Sequence, residues 1–206
     1  MSKYARTKTE AQRGRVCRFK AASERIAMPV FDRKLVTPPL AFDHDDAARA
    51  AESWNCSCGP AALAAAIGAD LDTVRGLVGE DFPTKGYMSP TMMRVAIERA
   101  GWRIESDDRV HHGTWRTFPT GALVRIQWEG PWTAPGSNPR WAYGATHWIS
   151  TLLHEGYVWI FDINQGWAPA WYWQEKTLPM IVANVRRATG GWYATHSWLI
   201  AKEARA

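Results

Sequence analysis

The spacing of apolar residues changes near residue 120, and this change constrains the fold more than any other feature of the chain. Before it, apolar residues recur at helical spacing in segments that glycine and proline separate. After it they alternate with polar residues, as in ALVRIQW at 122–128, which is typical of strands. Helices followed by antiparallel strands in 206 residues predict an α+β domain. The hydrophobic share of 46% suffices for a core and excludes a mostly disordered chain.

Capping and turn residues predict where the helices and strands begin and end. Pro60 opens an Ala-rich helix and Gly68 follows its end, which is the usual placement of these residue types. Asp70 and Ser89 are suited to cap two more helices, and Glu155-Gly156 is suited to close a hairpin. The predicted helices cover 45–54, 59–67, 71–78 and 90–100. The predicted strands cover 122–128 (half-buried, with Arg125 and Gln127 on the polar side), 147–154, 157–163, 178–185 and 192–201.

Positive charge is concentrated in residues 1–40, which hold ten Lys or Arg and three Asp or Glu. Their net charge of +7 exceeds the +5 of the whole chain, so the remainder is slightly acidic. We therefore predict a basic, partly extended N-terminal arm over 1–40 and a folded domain over 41–206. The arm is suited to nucleic acid or an acidic protein partner. A solvated leader is the favoured interpretation, because aromatic residues are sparse there and no nucleic-acid-binding motif is present.

Two absences bear on the location of the protein. The chain has no run of 18 apolar residues, and its first 20 residues lack the apolar stretch of a secretory signal. We therefore predict a cytoplasmic protein that does not contact a membrane. Three cysteines do not make a disulfide framework, and we predict no cofactor.

Cys58 is the residue on which the predicted chemistry depends. It directly precedes the helix that begins at Gly59-Pro60. The positive end of a helix dipole and the free backbone N–H groups of its first turn stabilise a thiolate relative to a thiol, so the pKa falls. A thiolate in that position is a good nucleophile, and the same N–H groups can hold an oxyanion. The alternative is a buried structural cysteine at an Ala-rich helix start.

His147 and Asp162 supply the base and the orienting group that such a nucleophile needs. His147 lies at the start of one predicted strand, and Asp162 lies fifteen residues later, across the predicted hairpin. On adjacent antiparallel strands the two fall near one end of the sheet. The carboxylate can then accept from one imidazole nitrogen while the other faces the thiol. A lone histidine on a strand is more often structural, but the ordered trio favours catalysis.

The order and spacing of these residues resemble the papain-like cysteine peptidases. The closest likeness is to bacterial peptidases that cleave double-glycine leaders, which show a CG-x-A-A/C-L helix start, an H-[WF]-[IV] strand and a following strand that ends in Asp. Short peptidase-like proteins of bacteriophages are also similar, including a segment like GYMSPTMM at 86–93. The resemblance covers roughly residues 50–175. It implies that helices carrying the cysteine pack on an antiparallel sheet carrying the histidine and aspartate, in a bacterial or phage-infected cell, with virion association as an option.

The resemblance also assigns roles to single residues. Cys58 is implied as nucleophile, His147 as general base and acid, and Asp162 as the orienting group. Asn164 is the alternative orienting residue, because papain uses an amide there. The family usually has a glutamine six residues before the nucleophile as an oxyanion donor, where this chain has Glu52. Asn55 offers an amide that can substitute for it, and the alternatives are that Glu52 is held protonated or that the site is catalytically weak.

Two further groups of residues allow more than one interpretation. Cys56 forms a C-x-C pair with Cys58, and simple packing is favoured over a metal site because no further ligands cluster nearby. Thirteen tryptophans are many for this length, and several stand close to the predicted site in sequence. The loops around them predict an aromatic-walled groove for an extended peptide, with core packing as the equal alternative; the candidates are Trp54, Trp128, Trp141 and Trp167.

Two classes of function follow from these patterns. The first is a cysteine hydrolase that cleaves a peptide, isopeptide or side-chain amide bond in a peptide or protein substrate. The second is a catalytically weak or inactive domain of the same architecture, which binds partners or has a structural role in a virion through its basic arm and Trp-rich face. Glu52 favours the second class, and the intact trio favours the first.

Overall fold

The computed structural model describes residues 38–80, 82–107, 122–138, 142, 144–165, 169–174, 177, 180–181, 188 and 191–203. The predicted basic arm lies outside the described residues except for its last three positions. Its boundary and its partners therefore stay predictions.

The first half of the described chain is helical, as its capping residues predict. Asp70 accepts a hydrogen bond from the Thr73 N–H and Ser89 accepts one from the Met92 N–H. Gly68 ends its helix in the left-handed conformation, with φ of 67°. The helices are α1 (His44–Trp54), α2 (Cys58–Ile67), α3 (Leu71–Val78), the single turn α4 (Phe82–Lys85) and α5 (Pro90–Arg99). Within the described ranges, none of these helices is long and apolar enough to cross a bilayer.

The second half forms one antiparallel sheet, so the predicted α+β class is confirmed. The strands are β1 (Trp102–Asp107), β2 (Ala122–Trp128), β3 (Thr146–His154), β4 (Tyr157–Phe161), β5 (Trp171–Trp173) and β6 (Trp192–Lys202). Their order across the sheet is β1-β6-β2-β3-β4-β5. Glu155 and Gly156 both have positive φ and make the predicted two-residue turn between β3 and β4.

Three strand predictions differ from the structure. β2 is not half-buried: Arg125 and Gln127 are as buried as their apolar neighbours, because β2 lies centrally and both of its faces are covered. The strand predicted at 178–185 is wrong where it is described, since Met180 and Ile181 are helical. β1 and β5 were not predicted.

α2 is a buried helix, and it sets the position of Cys58. Every residue from Gly59 to Ala65 is buried, and the helix packs chiefly on β3. Its small alanine side chains let the helix backbone approach the sheet closely. The N-terminus of α2 is therefore held beside the start of β3, where His147 lies.

Candidate active site

Cys58 is the first residue of α2, which begins one residue earlier than the sequence predicts. Ser57 precedes it as the N-cap but makes no side-chain capping hydrogen bond. Pro60 has no N–H, and the first turn contains no acidic residue. The N–H groups of Cys58 and Gly59 belong to the first turn, which has no intrahelical acceptor for them. The half-buried thiol of Cys58 therefore stands at an uncompensated positive helix end.

His147 and Asp162 form a buried hydrogen-bonded pair. The imidazole Nε2 lies 2.8 Å from Asp162 Oδ1, and the two residues are 7% and 2% exposed. Ser150 on β3 pairs with Phe161 on β4, which brings Asp162 to the same end of the hairpin as His147. The backbone N–H of Asn164 donates to the same Asp162 oxygen at 2.9 Å. Because Nε2 is engaged by Asp162, Nδ1 is the ring nitrogen left for the hydrogen bond with Cys58 that helps to raise the pKa of His147.

The electrostatics of the trio favour a thiolate–imidazolium pair. Burial raises the pKa of the Cys58 thiol, but the charge and hydrogen bond of His147 and a hydrogen bond from the Trp148 N–H outweigh it, so the pKa falls below the ordinary thiol value. Burial lowers the pKa of His147, but Asp162 and Cys58 raise it well above the ordinary imidazole value. At pH values between the pKa of Cys58 and that of His147, the Cys58 sulfur is a thiolate and the His147 ring is an imidazolium.

The pKa of His147 should depend on Asp162. We expect Asp162→Asn to lower the pKa of His147, because the neutral amide can still accept from Nε2 but no longer attracts the imidazolium charge. A pH titration of the His147 ring nitrogens by NMR checks this. Asp72→Asn, which neutralises an exposed carboxylate on α3, is the control and should leave the titration unchanged. An unchanged pKa in Asp162→Asn would show that the carboxylate does not stabilise the charged ring.

Gln127 positions the start of β3 and was not recognised in the sequence as a site residue. It is buried, and its side-chain nitrogen lies within hydrogen-bond distance of the carbonyl oxygens of Trp128, Ala142 and Ala145, at 3.0, 3.2 and 3.2 Å. The Trp128 N–H also donates to the Ala145 carbonyl at 3.1 Å. These bonds hold the backbone two residues before His147. A glutamine that alternates with apolar residues in a strand carries no signal that could have indicated this role.

The other polar residues predicted for the site are exposed, whereas His147 and Asp162 are buried. Glu52 is exposed on α1, so the structure does not hold its carboxylate in a buried oxyanion position. Asn55 is exposed and ends α1 in the left-handed conformation, with φ of 60°. The side chain of Asn164 is exposed, and Asp162 rather than Asn164 holds His147.

The predicted tryptophan groove needs correction at the two positions that the structure describes. Trp54 is 2% exposed and packs edge-on against Phe82, so it belongs to the core. Trp128 is 5% exposed, and its ring centroid lies 6.0 Å from that of His147. Both rings are buried because they complete packing around the site, so neither is the wall of an open groove. Trp141 and Trp167 lie outside the described residues.

Cys56 lies close enough to Cys58 for their charges to interact. Burial, with a smaller contribution from Cys58, raises the pKa of Cys56 to about 12. Cys56 is therefore a neutral thiol wherever Cys58 is a thiolate. The described part of the chain contains no cluster of three or more His, Cys, Asp or Glu side chains that could hold a metal ion.

Comparisons with known proteins do not place the chain in a family. No family model, no curated protein and no solved structure matches it.

Proposed function

We propose that this protein is a cysteine hydrolase of papain-like architecture that cleaves a peptide, isopeptide or side-chain amide bond. The observation that carries the proposal is the buried hydrogen bond between Asp162 and His147, together with the lowered pKa that His147 gives the Cys58 thiol. Asp162 is hydrogen-bonded to Nε2 of His147, so Nδ1 is the nitrogen left to exchange a proton with the thiol. The thiol belongs to the first residue of a helix. This is the arrangement of a nucleophile, a base that activates it and a group that orients the base.

The proposed reaction begins with the ion pair. The Cys58 thiolate attacks the amide carbon, and the resulting oxyanion is stabilised by backbone N–H groups at the start of α2. The His147 imidazolium then donates its proton to the amide nitrogen as the C–N bond breaks, which releases an amine or ammonia and leaves a thioester on Cys58.

Water completes the cycle. Neutral His147 accepts a proton from a water molecule while the oxygen adds to the thioester carbon. The C–S bond breaks, the carboxylic acid leaves, and the thiolate–imidazolium pair is restored. Asp162 keeps the ring oriented in both halves of the cycle and stabilises its charged form.

The test is hydrolysis of a mixed peptide library, with new termini identified by mass spectrometry and ammonia release measured in parallel. We expect new termini or ammonia with the native chain and none above background with Cys58→Ser. Ammonia without new termini would identify side-chain amides as the substrate. If the native chain and Cys58→Ser give the same products, the hydrolase proposal is wrong.

One observation favours a second candidate, a binding protein on the same architecture. Glu52 stands where the resembled family has an amide donor, and it is an exposed carboxylate. Loss of one oxyanion donor typically reduces the rate by about 10²–10³-fold. Under this second proposal the library gives no products, and the predicted arm and Trp-rich face mediate binding instead.

A further inference from the structure

The segment 86–89, which we call the strap, crosses the start of α2. The Gly86 N–H donates to the Phe82 carbonyl at 2.9 Å, and Ser89 caps α5, so both ends of the strap are fixed to helices. Met88 is buried within it. A Cβ placed on Gly59 would overlap Met88 Cβ and stand 2.8 Å from Met88 Cγ. Met88 of the strap therefore packs directly against Gly59, the residue that follows Cys58.

Trp148 joins the strap to the active site. It follows His147 on β3, is 2% exposed, and donates from its indole Nε1 to the Met88 carbonyl at 2.8 Å. A hydrogen bond from its backbone N–H is also among the causes that lower the pKa of Cys58. The Trp148 Cδ1 would lie 3.5 Å from a Cβ on Gly59. Trp148 thus bonds to the strap, lies beside the first turn of α2 and helps to lower the pKa of Cys58.

We propose that Trp148 is a positioning residue that sets the geometry between the Cys58 sulfur and the His147 ring by holding the strap against the first turn of α2. The inference rests on the proposed function, since it concerns the activation of the same nucleophile. Its physical basis is that α2 has no side-chain cap of its own at Ser57. The strap and Trp148 supply the contacts that fix this helix end instead.

Removal of the indole N–H should loosen the strap while an aromatic ring, though a smaller one, stays at this position. In Trp148→Phe the buried Met88 carbonyl loses its donor, which makes its present position unfavourable. Met88 can then move away from Gly59, and the start of α2 can shift relative to β3. A displacement of about 1 Å at a reacting centre can cost roughly 10²-fold in rate.

The experiment follows alkylation of Cys58 by iodoacetamide from pH 5 to pH 9 in a parent with Cys17→Ser and Cys56→Ser, so that Cys58 is its only thiol. The titratable groups acting on Cys58 in the described residues are then His147 and Asp162, which no variant changes. We expect Trp148→Phe to move the rise in rate to higher pH and to slow alkylation at pH 6 by roughly 10- to 100-fold, because less thiolate is present.

Trp198→Phe is the matched control. Trp198 is buried, its ring centroid lies 5.5 Å from that of Trp148, and its Nε1 has no hydrogen-bond partner among the described residues. The same ring change there should leave the pH profile of Cys58 at its parent position. A Trp148→Phe profile equal to that of Trp198→Phe would overturn the inference.

A second variant decides the matter if Trp148→Phe does not fold. Met88→Gly keeps the carbonyl that accepts from Trp148 but removes the whole side chain, including the Cβ and Cγ that lie nearest Gly59. The same move of the profile to higher pH supports the inference, and an unchanged profile overturns it. An ordinary thiol profile in the parent itself overturns the proposed function together with the inference. A low-pH profile in the parent with no response to either variant overturns the inference alone.

Discussion

Replacement of His147 with alanine is expected to slow alkylation of Cys58 at pH 6 by about 10²-fold, through loss of thiolate. Burial raises the pKa of Cys58, and His147 contributes the largest opposing effect. Without the imidazolium, burial and the charge of Asp162 both raise the pKa of Cys58, and only the remaining hydrogen bond from the Trp148 N–H opposes them, so the pKa rises. In the native protein the rate should rise with pH through a pKa below the ordinary thiol value, and in His147→Ala it should rise at higher pH. The two rates should converge above both pKa values.

The measurement uses the parent in which Cys58 is the only thiol, with quenched time points analysed by intact mass. His154→Ala is the matched control, because His154 ends the same strand at the opposite end from the site. We expect the control to alkylate at the parent rate. Equal rates for His147→Ala and the parent across the pH range would show that the ring does not stabilise the thiolate.

Gly59→Ala is expected to destabilise the fold by about 1–3 kcal/mol, the usual cost of overfilling a packed core. The added Cβ would overlap Met88 and approach Trp148, and neither neighbour has open space because both are buried. Urea unfolding followed by circular dichroism gives the change in the free energy of unfolding. The surviving folded protein should also alkylate more slowly at Cys58, since the helix start is displaced from His147.

Gly76→Ala provides the comparison for the same substitution in a helix. Gly76 lies inside α3, and outside its own helix backbone and chain neighbours a Cβ there would meet no atom of the described residues within 4 Å. Because alanine favours helix over glycine by about 0.5–1 kcal/mol, this variant should be slightly more stable than the native chain. If Gly59→Ala were as stable as Gly76→Ala, the close contact between Gly59 and Met88 would not exist in solution.

Local chemistry in the sequence was sufficient to predict much of the fold. The helix ends could be predicted because the residues that set them act on backbone close to them in sequence. Asp70 and Ser89 accept hydrogen bonds from N–H groups three residues later, and Gly68 takes the left-handed conformation that ends its helix. The hairpin at Glu155-Gly156 was predicted for the same reason. The candidate trio was found because a helix start and two strand ends each have a local signature. The contact of His147 with Asp162 was expected from the pairing of β3 with β4, and the structure shows it.

What could not be predicted depends on contacts between distant segments. The alternation of polar and apolar residues in β2 predicts that Gln127 is exposed. It is buried because β2 lies centrally in the sheet, which the sequence of the strand does not indicate. The contact of Met88 with Gly59 and the bond from Trp148 to Met88 join residues 29 and 60 positions apart. Trp54 is a residue for which closeness in sequence was misleading. It lies near Cys58 in sequence and was therefore predicted to line a groove, but it packs on Phe82 in the core.

The central claim, that Cys58 is held as a thiolate by His147, is tested most directly by thiolate absorbance at 240 nm. The spectrum of the parent with Cys58 as its only thiol is compared, at each pH, with that of a variant in which Cys58 is also serine. We predict a thiolate signal that persists well below the ordinary thiol pKa of about 8.5 and is lost there in His147→Ala. A signal that appears only above that pKa, and identically in His147→Ala, would contradict the claim.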